Sequence, residues 1–183
     1  MAGSSEREIQ RAELQWGAVM AGAVGVLLAI VVVGSAAATL HPPSNVERVD
    51  PASLHVSGEF VDGNLGSTQN LDGSVTVRFI ATQFSFVPRC LEVPADTPVV
   101  MRTTSPDVIH ALLVTGTNTD TMIVPGYVSE VKTRFAAPGD YRMPCTEFCG
   151  PGHADMWSVV RVVPRAEWKP DADDKVRCEI TNQ

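Results

Sequence analysis

Residues 145–157, CTEFCGPGHADMW, hold two cysteines, a glutamate, a histidine and a methionine in a stretch that a disulfide or a plain turn would not need. Pro144 precedes it, and Gly150-Pro151-Gly152 lies inside it. Proline removes a backbone donor and glycine costs helix stability, so a continuous helix is not expected here. The chain should instead wrap, bringing Cys145, Cys149, His153 and Met156 to one point. Thiolate and thioether are soft donors and imidazole is borderline, a set that selects copper over magnesium or calcium. A single blue-type copper takes two histidines, one cysteine and a weak methionine. The second cysteine exceeds that need. Two thiolates can instead bridge two copper ions, each of which then requires one imidazole.

A second histidine must come from elsewhere, and the chain has only His41, His55, His110 and His153. His41 and His55 lie before the regular part of the sequence. His110 stands within the apolar run DVIHALLV, where an imidazole without a partner is costly to bury. A lone core histidine bonded to a carbonyl is the plainer reading. The demand of the 145–156 loop for a further nitrogen favours a ligand.

Outward from these residues the sequence reads as β-structure. VTVRFIA (75–81), TPVVMRTT (97–104), VIHALLV (108–114), SEVKTRFA (129–136), GDYRMP (139–144) and WSVVRVVP (157–164) are short runs, most of them rich in β-branched residues. Turn signals such as GTNTD and APGD punctuate them at roughly ten-residue intervals, as in a sandwich or barrel. Residues 165–183 read as a mostly irregular extension with one short helical turn.

The N-terminal part differs. Gly17 to Leu40 runs without a charge, enough helix to cross a hydrocarbon core of about 30 Å with some tilt. Trp16 stands where an interfacial aromatic anchor would. A cleaved signal peptide is the rival, but its n-region should be short and basic and its apolar core about 7–15 residues. Glu6, Glu8 and Glu13 mix with Arg7 and Arg11 before this run. The expected organisation is a polar cytoplasmic tail (1–16), a transmembrane helix (17–40), a linker (41–53) stopped by Pro42 and Pro43, a β-domain (54–164) and the extension (165–183). Basic residues before the helix weakly place the C-terminal domain outside the cytoplasm. The formal net charge of −7 argues against nucleic acid as a partner and for a basic partner or an ordinary soluble surface.

The loop C-x-E-x-C-x3-H-x2-M, with a histidine on a strand upstream, resembles the copper A loop of cytochrome c oxidase subunit II. SPDVIH (105–110), VPGYVSEVKTRFAAPGDYRMPC (124–145) and the order of helix, linker and β-domain are similar to that family too. The resemblance implies a mainly β, cupredoxin-like Greek-key barrel with one N-terminal transmembrane helix. It implies two copper ions bridged by Cys145 and Cys149, with His110 and His153 each ligating one ion. Met156 and the main-chain carbonyl of Glu147 would be the weak ligands, and the Glu147 carboxylate would face the catalytic subunit. Electrons would come from a cytochrome c and pass to a haem in catalytic subunit I, where oxygen is reduced. The acidic surface would steer a basic cytochrome, an effect that salt should weaken.

Many family members have two membrane helices and a tryptophan-rich segment that receives the electron. This chain has one apolar run, and ATQFSFVP (81–88) in that region, similar to the smaller B-type branch. Phe84, Phe86 and Trp157 are candidates for the point where the electron arrives, with core packing the plainer reading of the two phenylalanines. Cys90 and Cys178 are the two spare cysteines, and an extracytoplasmic domain permits their pairing. Three other readings stay open: a copper A subunit of a nitric oxide reductase, a membrane-anchored copper chaperone of the Sco type, and a structural zinc site that leaves Met156 unexplained.

Overall fold

The structure is a computed structural model that describes residues 2–37, 46–169, 175–176 and 178. Two compact units divide at residue 45, and each is described by itself. The first is a helix, α1 (Ala2–Ala37). Its stretch Ser5–Ala36 is long and apolar enough to cross a membrane. The helix continues back through residues assigned above to a polar tail. Glu, Arg, Gln, Ala and Leu dominate there, and all are good helix formers. Residues 38–45, and with them His41 and the start of the expected linker, lie outside the described residues, as do 170–174, 177 and 179–183 of the extension.

The second unit is a cupredoxin-like β-barrel. Its strands are β1 (Gly66–Gln69), β2 (Val75–Thr82), β3 (Ser85–Val87), β4 (Cys90–Pro94), β5 (Pro98–Thr104), β6 (His110–Leu113), β7 (Asp120–Ile123), β8 (Ser129–Arg134), β9 (Gly139–Pro144), β10 (Trp157–Val163) and β11 (Lys175–Val176). One sheet runs β11-β1-β2-β5-β8, with β3 also on β2; a second runs β4-β10-β9; β6 and β7 form a hairpin. β2 pairs with β5, and β4 with β10, in parallel. Parallel neighbours cannot be joined by a tight hairpin, so the chain passes through another sheet before it returns to complete each pair.

Strand β2 shows why the sequence closes this way. Val75, Val77, Phe79 and Ala81 alternate onto the barrel interior, with Leu91, Val93, Val99, Met101, Val160 and Val162 from other strands. Fully burying a side chain of this size contributes about 1.5–3 kcal/mol. The opposite face of β2 is buried as well, because residues 46–65 cross it as a strap. Leu54, Phe60 and Leu65 pack on Ile80 there, with Val49 and Val128 at the margin. Residues 46–53, assigned above to a linker, thus belong to the second unit. Val49 N–H donates to the Gly126 carbonyl and Val128 N–H to the Glu47 carbonyl. A charge cluster pins the strap: Arg78 Nε is 2.8 Å from Glu59 Oε1, and Arg102 reaches Glu59, Glu47 and Glu130 at 2.6–2.7 Å.

The extension is more regular than its weak periodicity indicates. After β10 a turn on the Pro164 carbonyl brings Trp168 into the core, 7% exposed. Residues Lys175–Val176 then add a strand to β1, and Cys178 joins Cys90 in a disulfide, the Cα atoms 5.3 Å apart.

Candidate metal centre

The loop after β9 wraps as its prolines and glycines require. It makes one 3-10 turn, His153–Asp155, and no longer helix. Cys145 N–H donates to the Met156 carbonyl at 2.9 Å, closing the loop on itself. Thr146 N–H donates to the Ala111 carbonyl at 2.9 Å, and Cys145 bridges Leu112. The loop is therefore bonded to the strand that begins at His110. Cys145, Cys149 and Met156 are part of the same buried cluster as the barrel core. The donors are held by packing on a rigid scaffold, as a preorganised site demands.

The side chains converge in two matched halves. Cys145 Sγ lies 3.9 Å from His110 Nδ1, and Cys149 Sγ lies 3.7 Å from His153 Nδ1. The two sulfurs are 4.0 Å apart. Met156 Sδ is 3.6 Å from Cys149 Sγ, and the Glu147 carbonyl is 3.3 Å from Cys145 Sγ. The donor atoms of His110, Cys145 and Cys149 all fall within 4.8 Å of one another. All six sequence-identified ligand candidates thus meet at one point. The Glu147 residue is exposed, and only its main chain turns inward. Two sulfurs that each bind a shared ion at about 2.3 Å can be at most about 4.6 Å apart. The observed spacing satisfies that limit, and the soft donor set fits copper.

His110 is fully buried, and its Nε2 lies 2.9 Å from Asp107 Oδ1. Burial by itself would raise the Asp107 carboxyl. The Gln83 and Val108 N–H groups, His110 and the Ser105 hydroxyl outweigh burial and hold it well below the usual carboxylate range. An ionised carboxylate only accepts, so Nε2 carries the proton and the Nδ1 lone pair points at the sulfurs. Burial, and after it the neighbouring Cys145 sulfur, pushes the Cys149 thiol up to about 11. Binding a metal as thiolate must therefore displace a proton.

The aromatic candidates separate. Phe86 is fully buried, edge-on to Phe79 with centroids 6.2 Å apart. Phe84 is 38% exposed and its ring lies on the ligand loop. A Cβ at Gly152 would sit 2.5 Å from that ring, so glycine is what lets the ring close down. Trp157, 43% exposed, follows Met156 directly on the other flank, where a cleft of about 350 Å³ is lined by Cys145, His153 and Met156 among others. Phe148 is 75% exposed, and its ring meets His153 at 5.8 Å. Three contributors escaped the sequence reading: Asp107, Gln83 and Phe148. An acid three residues before His110, and an aromatic inside the ligand loop, were the signals for two of them. Nothing in the sequence marked Gln83. His55 lies apart and pairs with Asp62 at 3.0 Å.

Comparison with known proteins points to one family. Residues 74–163 match the family described as cytochrome C oxidase subunit II, periplasmic domain. A cytochrome c oxidase subunit 2 from Thermus thermophilus is 38% identical over 121 residues, 66% of this chain and 90% of that protein. A second cytochrome c oxidase subunit 2, from a particular strain of the same organism, is also 38% identical over 121 residues, 66% of this chain and 72% of that protein. Among solved structures, a chain of a heme-copper terminal oxidase dimer superposes with a TM-score of 0.58 at 25% identity, over 83% of this chain and 99% of that one. These matches show that this chain belongs to the cytochrome c oxidase subunit II family, subunits of an oxidoreductase complex.

Proposed function

We propose that this chain is the subunit through which electrons enter a haem-copper terminal oxidase, using a binuclear copper A centre. The carrying observation is the pairing of each sulfur with its own imidazole, Cys145 with His110 and Cys149 with His153, across a 4.0 Å gap between the sulfurs. Cys145 and Cys149 would bridge two copper ions. His110 and His153 would each hold one, and Met156 and the Glu147 carbonyl would be the weak ligands. Bound there, copper supplies one-electron redox chemistry spread over two ions.

The protein's part is to keep those donors still. Met156 is 1% exposed and His110 is fully buried, so neither side chain has room to move when charge arrives. Asp107 holds the His110 ring in the tautomer that presents Nδ1. Phe84 and Trp157, exposed aromatics on the two flanks of the loop, would receive the electron from a cytochrome c; buried Phe86 would not meet a donor. The electron would leave toward a haem of the catalytic subunit, past the exposed Glu147 side of the loop. The apolar helix would anchor the chain in a single pass, with the barrel on the extracytoplasmic side.

Copper loading of the purified chain, followed by metal analysis, absorption and electron paramagnetic resonance, tests this reading. Two ions per chain, a purple colour and one unpaired electron shared by both are expected. One ion per chain, or a Cys145–Cys149 disulfide in the working complex, would overturn it.

A further inference from the structure

The two ligand segments, His110 at the start of β6 and the 145–156 loop, are both referenced to one short turn between β2 and β3. Asp107 accepts from the Gln83 N–H at 2.7 Å and from the Thr82 hydroxyl at 2.9 Å through Oδ2. Through Oδ1 it holds His110. From the same turn the Gln83 side chain reaches the other way, and its Nε2 donates to the Cys149 carbonyl at 2.5 Å, across 66 residues of sequence. Phe84, the next residue, covers Gly150 and Gly152. At Gly150, with φ +134, a Cβ would stand 2.9 Å from the Phe84 ring and 3.1 Å from Gln83 Nε2. Gly150 thus admits both groups at once. The Gln83 amide engages the Cys149 main chain and not its sulfur, so this bond leaves the donor set intact and fixes the peptide that carries one of its thiols.

We propose that Gln83 is a positioning residue for the metal centre: its amide, anchored through the turn to Asp107 and His110, sets where Cys149 Sγ sits relative to the opposite imidazole. The inference rests on the copper reading above. A metal ligand pair held from one turn keeps its spacing when the barrel breathes. Without the Gln83 bond, the loop half would drift against the His110 half, and the spacing of the sulfurs would broaden.

Gln83→Met tests this, since it keeps the side chain's length and removes the donor. The full chain is loaded with copper, and release to a competing chelator is timed while the electron paramagnetic resonance spectrum is recorded. Loss of one such bond should speed release roughly fivefold and alter the hyperfine pattern. Gln83→Lys, which restores an N–H donor of similar reach, should return the release rate toward wild type. An unchanged release rate and spectrum in Gln83→Met overturns the proposal, as does a fall in the thermal midpoint with an unaltered spectrum, which is a purely structural role. Wild-type chain that takes up no copper overturns the site reading instead, and the proposal with it.

Discussion

Cys145 and Cys149 share a domain with Cys90 and Cys178, yet the first pair stays as thiols and the second is a disulfide. All four are cysteines of one barrel, so the difference lies in what surrounds them. The Cys145 and Cys149 sulfurs stand 4.0 Å apart, about twice a disulfide bond, and each faces an imidazole. Cys90 lies on β4, 2% exposed, and its partner arrives from the C-terminal tail 88 residues later. Soft donors grouped with nitrogen are suited to a metal. The same atoms without nitrogen make a staple.

The sharpest way to break this contrast is to exchange one sulfur. Cys149→Ser removes one of the two sulfurs proposed above to bridge, and its oxygen is too hard to replace it. The shared-electron signal should vanish, with copper content falling from two ions per chain to one or none by metal analysis. Retention of two ions with an unchanged spectrum would show that the sulfurs do not bridge.

Removing the other pair should do the opposite. Cys90→Ala with Cys178→Ala leaves every metal donor in place, so copper content and spectrum should not change. Stability should fall by about 2–4 kcal/mol in denaturant unfolding, because the constraint on the unfolded chain is lost. Hydrogen exchange should rise first at Ser67 and Thr68, the residues that pair with β11. A double variant that loses copper would mean that the two pairs are not independent.

Asp107 sharpens the contrast from the metal side. Asp107→Asn keeps a carbonyl to accept from His110 Nε2–H but removes the charge that fixes the tautomer. Copper affinity should drop about tenfold, the lower end for loss of such a partner, in competition with a chelator of known affinity. The disulfide should be untouched, as counted by thiol titration after denaturation.

The two regions were unequally legible in the sequence. The 145–156 loop announces itself because its donors are contiguous, and proline and glycine forbid the helix that would scatter them. β2, β5, β8 and β10 were readable as β-branched runs between turn residues, and β9 as the short GDYRMP run between the APGD turn and the ligand loop. β1, with the sequence GSTQ, and β7, with DTMI, carry no such pattern; pairing with β2 and with β6 makes them strands. His110 was chemically visible only as an awkward polar group on an apolar run. Gln83 and Asp107 act through contacts across 66 and 24 residues of chain. No local pattern encodes such contacts, because they exist only once β2, β6 and the loop have met. The strap over β2 was hidden for the same reason. Pro42, Pro43 and Pro51 make 41–53 look like linker, while Leu54, Phe60 and Leu65 find their partner only in Ile80.

That strap yields the smallest expected effect and a third way of holding the domain together. The tail is fastened by a covalent bond that pH does not touch, and the strap by Glu59 between Arg78 and Arg102. Burial would raise the Glu59 carboxyl, but bonds to Arg102 and then Arg78 outweigh it and leave its pKa below the ordinary value of 4.5. A carboxyl whose pKa is depressed by folding adds stability above its unfolded pKa. That stability is lost as pH falls through the folded value. Denaturant midpoints should therefore hold steady from neutral pH down to about 4.5 and decline below it. Glu59→Gln should lower the midpoint at neutral pH and flatten the acid decline, by less than the disulfide variant changes it. The copper spectrum at neutral pH should stay as it is, because the strap lies on the outer face of β2 while Cys145, Cys149 and Met156 belong to the core cluster on its inner face. An acid decline equally steep in Glu59→Gln would place the titrating groups elsewhere and leave the strap held by its apolar residues alone.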